Sequence, residues 1–179
     1  MAKSKTEEQK KVRATIPLII LITAVLSLTG CASLFGPAPT ELALSIEASP
    51  HLNPNSEGRP SPVVLRIYEL NEVSAFDNSD FFSLYDTEAE TLGKFIVFKQ
   101  ELEIKPGQTL KLERNAKDEA RYLAVLAAYR DLDNSRWRGS LKLEPHTKST
   151  IMIHLGSLSV SVTNTKKRLR DTRNYNTNE

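Results

Sequence analysis

Between Tyr122 and Ala128 the chain reads YLAVLAA, and neither of its two alternating sets of side chains is polar. On a strand, Tyr122, Ala124, Leu126 and Ala128 line one face and Leu123, Val125 and Ala127 the other, so each face needs a covering layer. Composition alone allows a helix here, because alanine and leucine favour one; the alternation favours a central strand buried on both sides. Shorter alternating runs lie on either side of it. Leu42, Leu44, Ile46 and Ala48 share a face in ELALSIEAS, and Val63, Leu65 and Ile67 share one in VVLRIYEL. These two strands are expected to be neighbours. KFIVFKQELEI and QTLKLERN flank a turn at Pro106-Gly107 and predict a hairpin, RWRGSLKLE predicts another strand, and STIMIHLGSLSVSVTN a final pair around Gly156. Seven to nine short strands at regular spacing indicate a mainly all-β chain, an antiparallel β-sandwich. In NEVSAFDNSDFFSLYDTEAETLG the spacing turns helical, through Val73, Phe76, Phe81, Phe82, Leu84, Tyr85 and Leu92. With Asn71 or Asn78 as a cap and Gly93 as a terminator, it predicts short added helices over one end of a sheet.

One cysteine cannot form an internal disulfide or a cysteine-based zinc site, and Cys31 is the only one in the chain. It stands where the apolar run TIPLIILITAVLSL ends, after a charged start, in the order expected of a signal peptide. As a helix, Ile16 to Leu28 spans about 20 Å at 1.5 Å per residue, short of a ~30 Å hydrocarbon core. The order Leu28, Thr29, Gly30, Cys31 resembles the bacterial lipobox. That resemblance implies cleavage before Cys31, a diacylglyceryl group on its thiol and an acylated amino group; two or more acyl chains give durable anchoring. The alternative is an ordinary buried cysteine behind a cleavable signal. Ala32, rather than Asp, implies delivery to the outer membrane under the usual lipoprotein sorting rule. The expected organisation is a lipoprotein signal peptide over 1–30, an extended tether over 31–40 with Gly36, Pro37 and Pro39, a β-sandwich domain over 41–164, and a disordered basic tail over 165–179.

The net charge of +2 conceals an uneven layout. Lys3, Lys5, Lys10, Lys11 and Arg13 outnumber Glu7 and Glu8 at the start, and Lys166, Lys167, Arg168, Arg170 and Arg173 outnumber Asp171 and Glu179 at the end. The body between them is left acidic, about −4, which gives no support to nucleic-acid binding. The tail could touch acidic headgroups or a partner, or be a solvated end. Motifs for nucleophilic elbows, zinc proteases and phosphate loops are absent from the sequence. His51, His146 and His154 fall in a loop, a turn and a strand without ligand spacing, so neither a metal nor a cofactor is expected. DLDNS, Asp131 to Ser135, lacks the later glycine and glutamate of a calcium loop and reads as a β-turn. Asp77, Asp80, Asp86, Glu88 and Glu90 read as caps and exposed charge rather than paired catalytic carboxylates. In RWRG, Trp137 is expected to point into the core with Arg136 and Arg138 outward.

The longest irregular stretch is PHLNPNSEGRPSP, Pro50 to Pro62, with four prolines. Loops of this length are commonly functional, or else merely long connections. Its prolines lower the entropy lost on docking, and Leu52 is expected to supply an apolar anchor.

The stretches GRPSPVVLRIYEL, DFFSLYD and ARYLAVLAAYRDLDNSRWR resemble those of the TssJ family, the outer-membrane lipoproteins of type VI secretion systems. The resemblance runs from the lipobox to about Asn164. It implies a transthyretin-like sandwich and a noncatalytic role: anchoring the secretion membrane complex by binding the periplasmic domain of the inner-membrane TssM protein, with a TssL-like protein in the same complex. It also implies that the loop between the first two strands makes the contact, here His51, Leu52, Asn53, Pro54, Asn55, Ser56, Glu57, Gly58 and Arg59. The alternative is a periplasmic, lipid-anchored carrier of a small apolar ligand; a cell-wall enzyme is a third reading.

Overall fold

The computed structural model describes residues 37–165; the expected signal peptide, Cys31, the first part of the tether and the tail beyond Thr165 lie outside the described residues. Among the described residues, eight strands form two four-stranded sheets: β1 (Glu41–Ala48), β2 (Val63–Leu70), β3 (Ile96–Ile104), β4 (Thr109–Asn115), β5 (Tyr122–Ala127), β6 (Arg138–Lys142), β7 (Lys148–Leu155) and β8 (Val160–Asn164). The first sheet has the order β4-β1-β7-β8 and the second β3-β2-β5-β6. All pairs are antiparallel except β1 with β7, which is parallel, with Glu41 beside Lys148 and Ala48 beside Leu155.

The main core lies between the sheets. Leu42, Leu44 and Ile46 of β1 and Ile151, Ile153 and Leu155 of β7 face Val63, Leu65 and Ile67 of β2 and Leu123, Val125 and Ala127 of β5. The chain's alternation is therefore read correctly in phase, but two pairings differ from expectation. β1 and β2 are in opposite sheets, because the long loop between them carries the chain across the core. β3 and β4 do not form a hairpin either. Their turn is tied to the end of β1, where Ala48 N donates to Gln108 O (2.9 Å) and Gly107 N to Ser49 O (3.1 Å), and β4 continues as the partner of β1. The final pair, β7 with β8, is a hairpin. Along one side the sheets close on each other: Arg136 bridges to Ser159, and a Cβ at Gly139 of β6 would sit 3.3 Å from Val162 Cγ1 of β8.

β5 has its predicted two covers. Ala124 and Leu126 join Tyr68 and Leu70 of β2 on the outer face of the second sheet, under α1 (Ser74–Asn78), α2 (Phe81–Tyr85), α3 (Glu88–Thr91) and a 3-10 turn (Gly93–Phe95). The helices thus cover a face rather than an end. With four or five residues each, they are far below the length at which a helix holds itself together in water. Their stability comes from burying Phe76, Phe81, Leu84 and Leu92, at about 1.5–3 kcal/mol per side chain. Phe82 is the exception among the predicted apolar positions, at 61% exposed.

Side chains pin the helices in place. Arg138 donates to Phe76 O (3.0 Å) and Ser79 O (2.5 Å) and lies 4.7 Å from the Trp137 ring, which is half-buried and meets Phe81 edge-on. Arg136 is outward as expected; Arg138 is not, because two orphaned helix-end carbonyls recruit it. Glu88, expected to be exposed charge, is half-buried and accepts from Tyr68 OH (2.5 Å) and Lys99 Nζ (2.6 Å). Burial, then that bond to Glu88, pushes the Tyr68 phenol above its ordinary value. Asp80 caps α2 by accepting from Ser83 N (3.0 Å). The Ser83 hydroxyl and amide hold its carboxyl below the ordinary value. A lowered carboxyl stabilises above its unfolded value and loses that contribution as pH falls through the folded one. Asp80→Ala is therefore expected to lower the urea midpoint at neutral pH, with the difference from wild type shrinking in strong acid.

One ion pair crosses the sandwich interior. Glu69 of β2 is fully buried; it meets Arg114 Nη1 of β4 at 2.5 Å and accepts from Lys117 N at 2.8 Å. Arg114 stacks on Phe98 (3.8 Å to the ring centre), and burial lowers its guanidinium below the ordinary value. Removing one member of such a pair leaves a buried charge without its partner. Arg114→Ala is expected to cost about 3 kcal/mol in urea unfolding, whereas Glu69→Leu with Arg114→Met recovers most of that loss.

Candidate partner-binding site

The loop that joins β1 to β2 has a buried foot and an exposed tip. Leu52 N donates to Ser49 O (3.1 Å) and Ser61 N to Leu52 O (3.0 Å), which drives the Leu52 side chain, 0% exposed, into the main core. This corrects the expectation of an exposed apolar anchor: Leu52 holds the loop to its own domain. Asn53 is buried as well and sits in the left-handed region at φ 48°, which asparagine tolerates better than most residues. Its backbone N donates to Ser157 O (2.9 Å), its Nδ2 to Pro62 O (2.8 Å), and its Oδ1 accepts from Arg130 N (2.8 Å). A single side chain and its amide thereby join three connections: β1–β2, β5–β6 and β7–β8. Tyr129 OH adds a bond to Gly156 O (3.2 Å), and burial raises its phenol above the ordinary value.

Beyond Asn53 the chain makes a closed tip. Asn55 N donates to Arg59 O and Gly58 N to Asn55 O, both 2.9 Å, while Asn55 Oδ1 accepts from Glu57 N (3.0 Å) and Arg59 N (2.9 Å). Gly58 has φ 79°, where a side chain would be strained. Pro54 and Asn55 are half-buried, and His51, Ser56, Glu57, Gly58 and Arg59 are exposed. Glu57 and Arg59 form an ion pair in water, worth little to stability but holding two opposite charges in a set geometry. The tip is thus shaped before anything docks on it.

This loop end of the sandwich is the far end from where the tether enters. At the entry end Glu41 N donates to Thr147 O (3.0 Å) and Ala116 N to Thr40 O (2.8 Å). His146, in the left-handed region at φ 57°, bonds Thr40 Oγ1 through its backbone N (2.9 Å) and Ala38 O through its ring Nδ1 (2.7 Å). β1 then runs eight residues, about 26 Å, to the loop.

The other candidates are dispersed. His51 is in the loop, His146 at the entry end and His154 on the exposed outer face of the first sheet. Asp131 accepts from Asn134 Nδ2 (2.9 Å) within a turn, and Asp77 accepts from Ser140 Oγ (3.0 Å). A groove of about 290 Å³ lies at the entry end, open to solvent and bordered by Glu41, Glu113 and Lys148, a charged lining that does not suit an apolar ligand. The sequence reading missed Asn53 as the tie between three loops; its signal is the Asn-Pro step at the loop's foot, whose partners come from distant parts of the chain.

Comparison with protein families matches residues 40–158 to the family described as Type VI secretion lipoprotein, VasD, EvfM, TssJ, VC_A0113. Among solved structures, the T6SS lipoprotein TssJ1 from Pseudomonas aeruginosa is similar at 36% identity and TM-score 0.68, over 70% of this chain and 96% of that chain. Serratia marcescens Lip, described as a membrane bound component of the Type VI Secretion System, is similar at 28% identity and TM-score 0.64, over 71% and 98%. A chain in the structure described as T6SS protein TssM C-terminal domain (869-1107) from EAEC is similar at 26% identity and TM-score 0.57, over 69% and 97%. No match is found among curated proteins.

Replacing Asn53 by Ala leaves the Arg130 amide and the Pro62 carbonyl without their partner and removes a residue suited to φ 48°. The expected cost is about 2 kcal/mol in thermal unfolding, with amide exchange at Arg130 accelerated; unchanged exchange there would refute the role given to Asn53.

Proposed function

The chain belongs to the type VI secretion lipoprotein family, and from that premise we propose that it is a noncatalytic anchor for the secretion membrane complex. In this reading acyl chains on Cys31 fix it to the outer membrane, facing the periplasm. The loop end then receives the periplasmic domain of a TssM-like inner-membrane protein, in a complex that also holds a TssL-like protein. The observation that carries the reading is the tip shaped by Asn55, with Ser56–Arg59 exposed at the end of the sandwich opposite the entry of the tether. A docking surface directed away from its anchor is the geometry a bridge between two membranes needs. The match to a chain in a structure described by the TssM C-terminal domain supports the choice of partner.

Contact falls to the exposed members of the loop: His51, Ser56, Glu57, Gly58 and Arg59. A tip already ordered by Asn55 loses little entropy on docking, and an arginine at the centre of an interface is a frequent source of binding energy. Calorimetric titration of residues 32–179 with the periplasmic domain of the cognate TssM-like protein tests this. Glu57→Ala with Arg59→Ala is expected to weaken binding at least about tenfold, about 1.4 kcal/mol, while the thermal midpoint stays within a degree or so, since both side chains are solvated. Undiminished binding would move the site off the tip; no binding by wild type would end the proposal. Cys31→Ser should release the protein from the outer-membrane fraction without unfolding it.

A further inference from the structure

The helical layer over the second sheet is where the domain concentrates its charge. Residues 71–95 carry six acids, Glu72, Asp77, Asp80, Asp86, Glu88 and Glu90, against Lys94 alone, so the acidic excess of the body lies in this one layer. Among the described residues, only Glu88 of the six is in an ion pair. Within this layer stands Phe82, the large apolar side chain that the fold leaves in water. It lies in the first turn of α2, between Asp80 at the N-cap and Asp86 at the C-cap. Asp86 follows it by four residues and so shares its helical face. Phe81 points inward instead and meets the Phe82 ring edge-on at 5.5 Å.

The helix sits over the loop-end half of the sheet. Phe81 packs edge-on against Trp137 at 5.4 Å, and Trp137 O accepts from Ala127 N (2.7 Å) where β5 ends. Tyr85 O accepts from Arg66 Nη1 (2.8 Å), and Arg66 pairs with Leu126, one residue before that end. From Trp137 the β5–β6 connection runs back to Arg130, whose amide Asn53 holds at the foot of the β1–β2 loop. Arg130, Asp133 and Asn134 are exposed on it. One surface therefore runs from the tip Ser56–Arg59, across this connection, to Phe82.

A specific protein interface draws on about 20–30 residues a side, many more than the exposed part of the β1–β2 loop supplies. Aromatic anchors commonly lie at its centre. We propose that α2 is the second half of the docking surface: Phe82 inserts into an apolar pocket of the partner, rimmed by Lys or Arg side chains that meet Asp80 and Asp86. This rests on the reading that the loop end receives a periplasmic protein domain. The charges select such an occupant. An anionic lipid surface is repelled by this layer. A second copy of the chain offers no basic-rimmed apolar pocket among the described residues; its groove at the entry end is bordered by Glu41, Glu113 and Lys148.

Calorimetric titration of residues 32–179 with the periplasmic domain of the cognate TssM-like protein tests the proposal on three variants. Phe82→Ala should weaken binding at least about tenfold, and Phe82→Leu, which keeps an apolar side chain, should stay within about threefold of wild type. Asp86→Lys should weaken binding at least about threefold, a loss that shrinks in about 0.5 M salt while that of Phe82→Ala persists. All three should keep the thermal midpoint within a degree or so, because both side chains are exposed. Were Phe82→Ala to lower the midpoint, Phe82→Leu and Asp86→Lys decide the matter by themselves. Wild-type affinity in Phe82→Ala, an equal loss in Phe82→Leu, or undiminished binding by Asp86→Lys overturns the proposal. Glu57→Ala with Arg59→Ala separates premise from inference: if that change weakens binding and Phe82→Ala does not, the tip stands and the α2 contact falls. If wild type does not bind, both fall.

Discussion

A sheet whose middle strands are apolar on both faces must be covered twice, and most of this architecture answers that requirement. β2 and β5 occupy the centre of the second sheet, and their inner side chains make the main core with β1 and β7. Their outer side chains, Tyr68, Leu70, Ala124 and Leu126, would face water without the three short helices. Each helix is too short to persist alone, so sheet and helices depend on each other: the sheet supplies a surface to bury Phe76, Phe81, Leu84 and Leu92, and those residues close it. Arg138, Glu88 and Asp80 then settle the polar ends that such short helices leave open.

The two ends of the sandwich are built differently. At one, His146 and Thr147 hold the incoming chain against β7. At the other, Asn53 joins three connections and supports a tip shaped by Asn55. Strands of eight or nine residues separate the two. Under the proposed function, that separation would leave anchoring and docking independent, since a partner held at the loop end would lie about 26 Å from the entry point. The buried Glu69–Arg114 pair is nearer the entry end and links the sheets where Asn115 pairs with Glu41. Its cost in desolvation is consistent with fixing the alignment of β2 against β4 rather than with adding net stability.

Much of this was legible in the chain. YLAVLA announced a strand with two covers because period-two alternation needs only neighbouring residues to be seen. The helical spacing of Phe76, Phe81, Leu84 and Leu92 was visible for the same reason, and the loop declared itself through its prolines. The pairing of strands was less accessible. β3 and β4 look like a hairpin around Pro106-Gly107, yet the turn is captured by Ser49 and Ala48, residues far away in sequence. Leu52 looks like an exposed anchor, yet the backbone bonds on either side of it turn it into the core.

The sequence by itself determined the lipobox-like stretch ending at Cys31, the strand and helix segments, the phase of their buried faces and the family to which they point. All of these rest on residue types at short spacing. Only the tertiary structure decided that β1 pairs with β7 in parallel, that β3 and β4 fall in opposite sheets, and that Asn53, with Leu52 turned into the core, organises the loop. These depend on contacts between distant segments, selected by how whole apolar faces can be covered at once, and no local pattern encodes that choice.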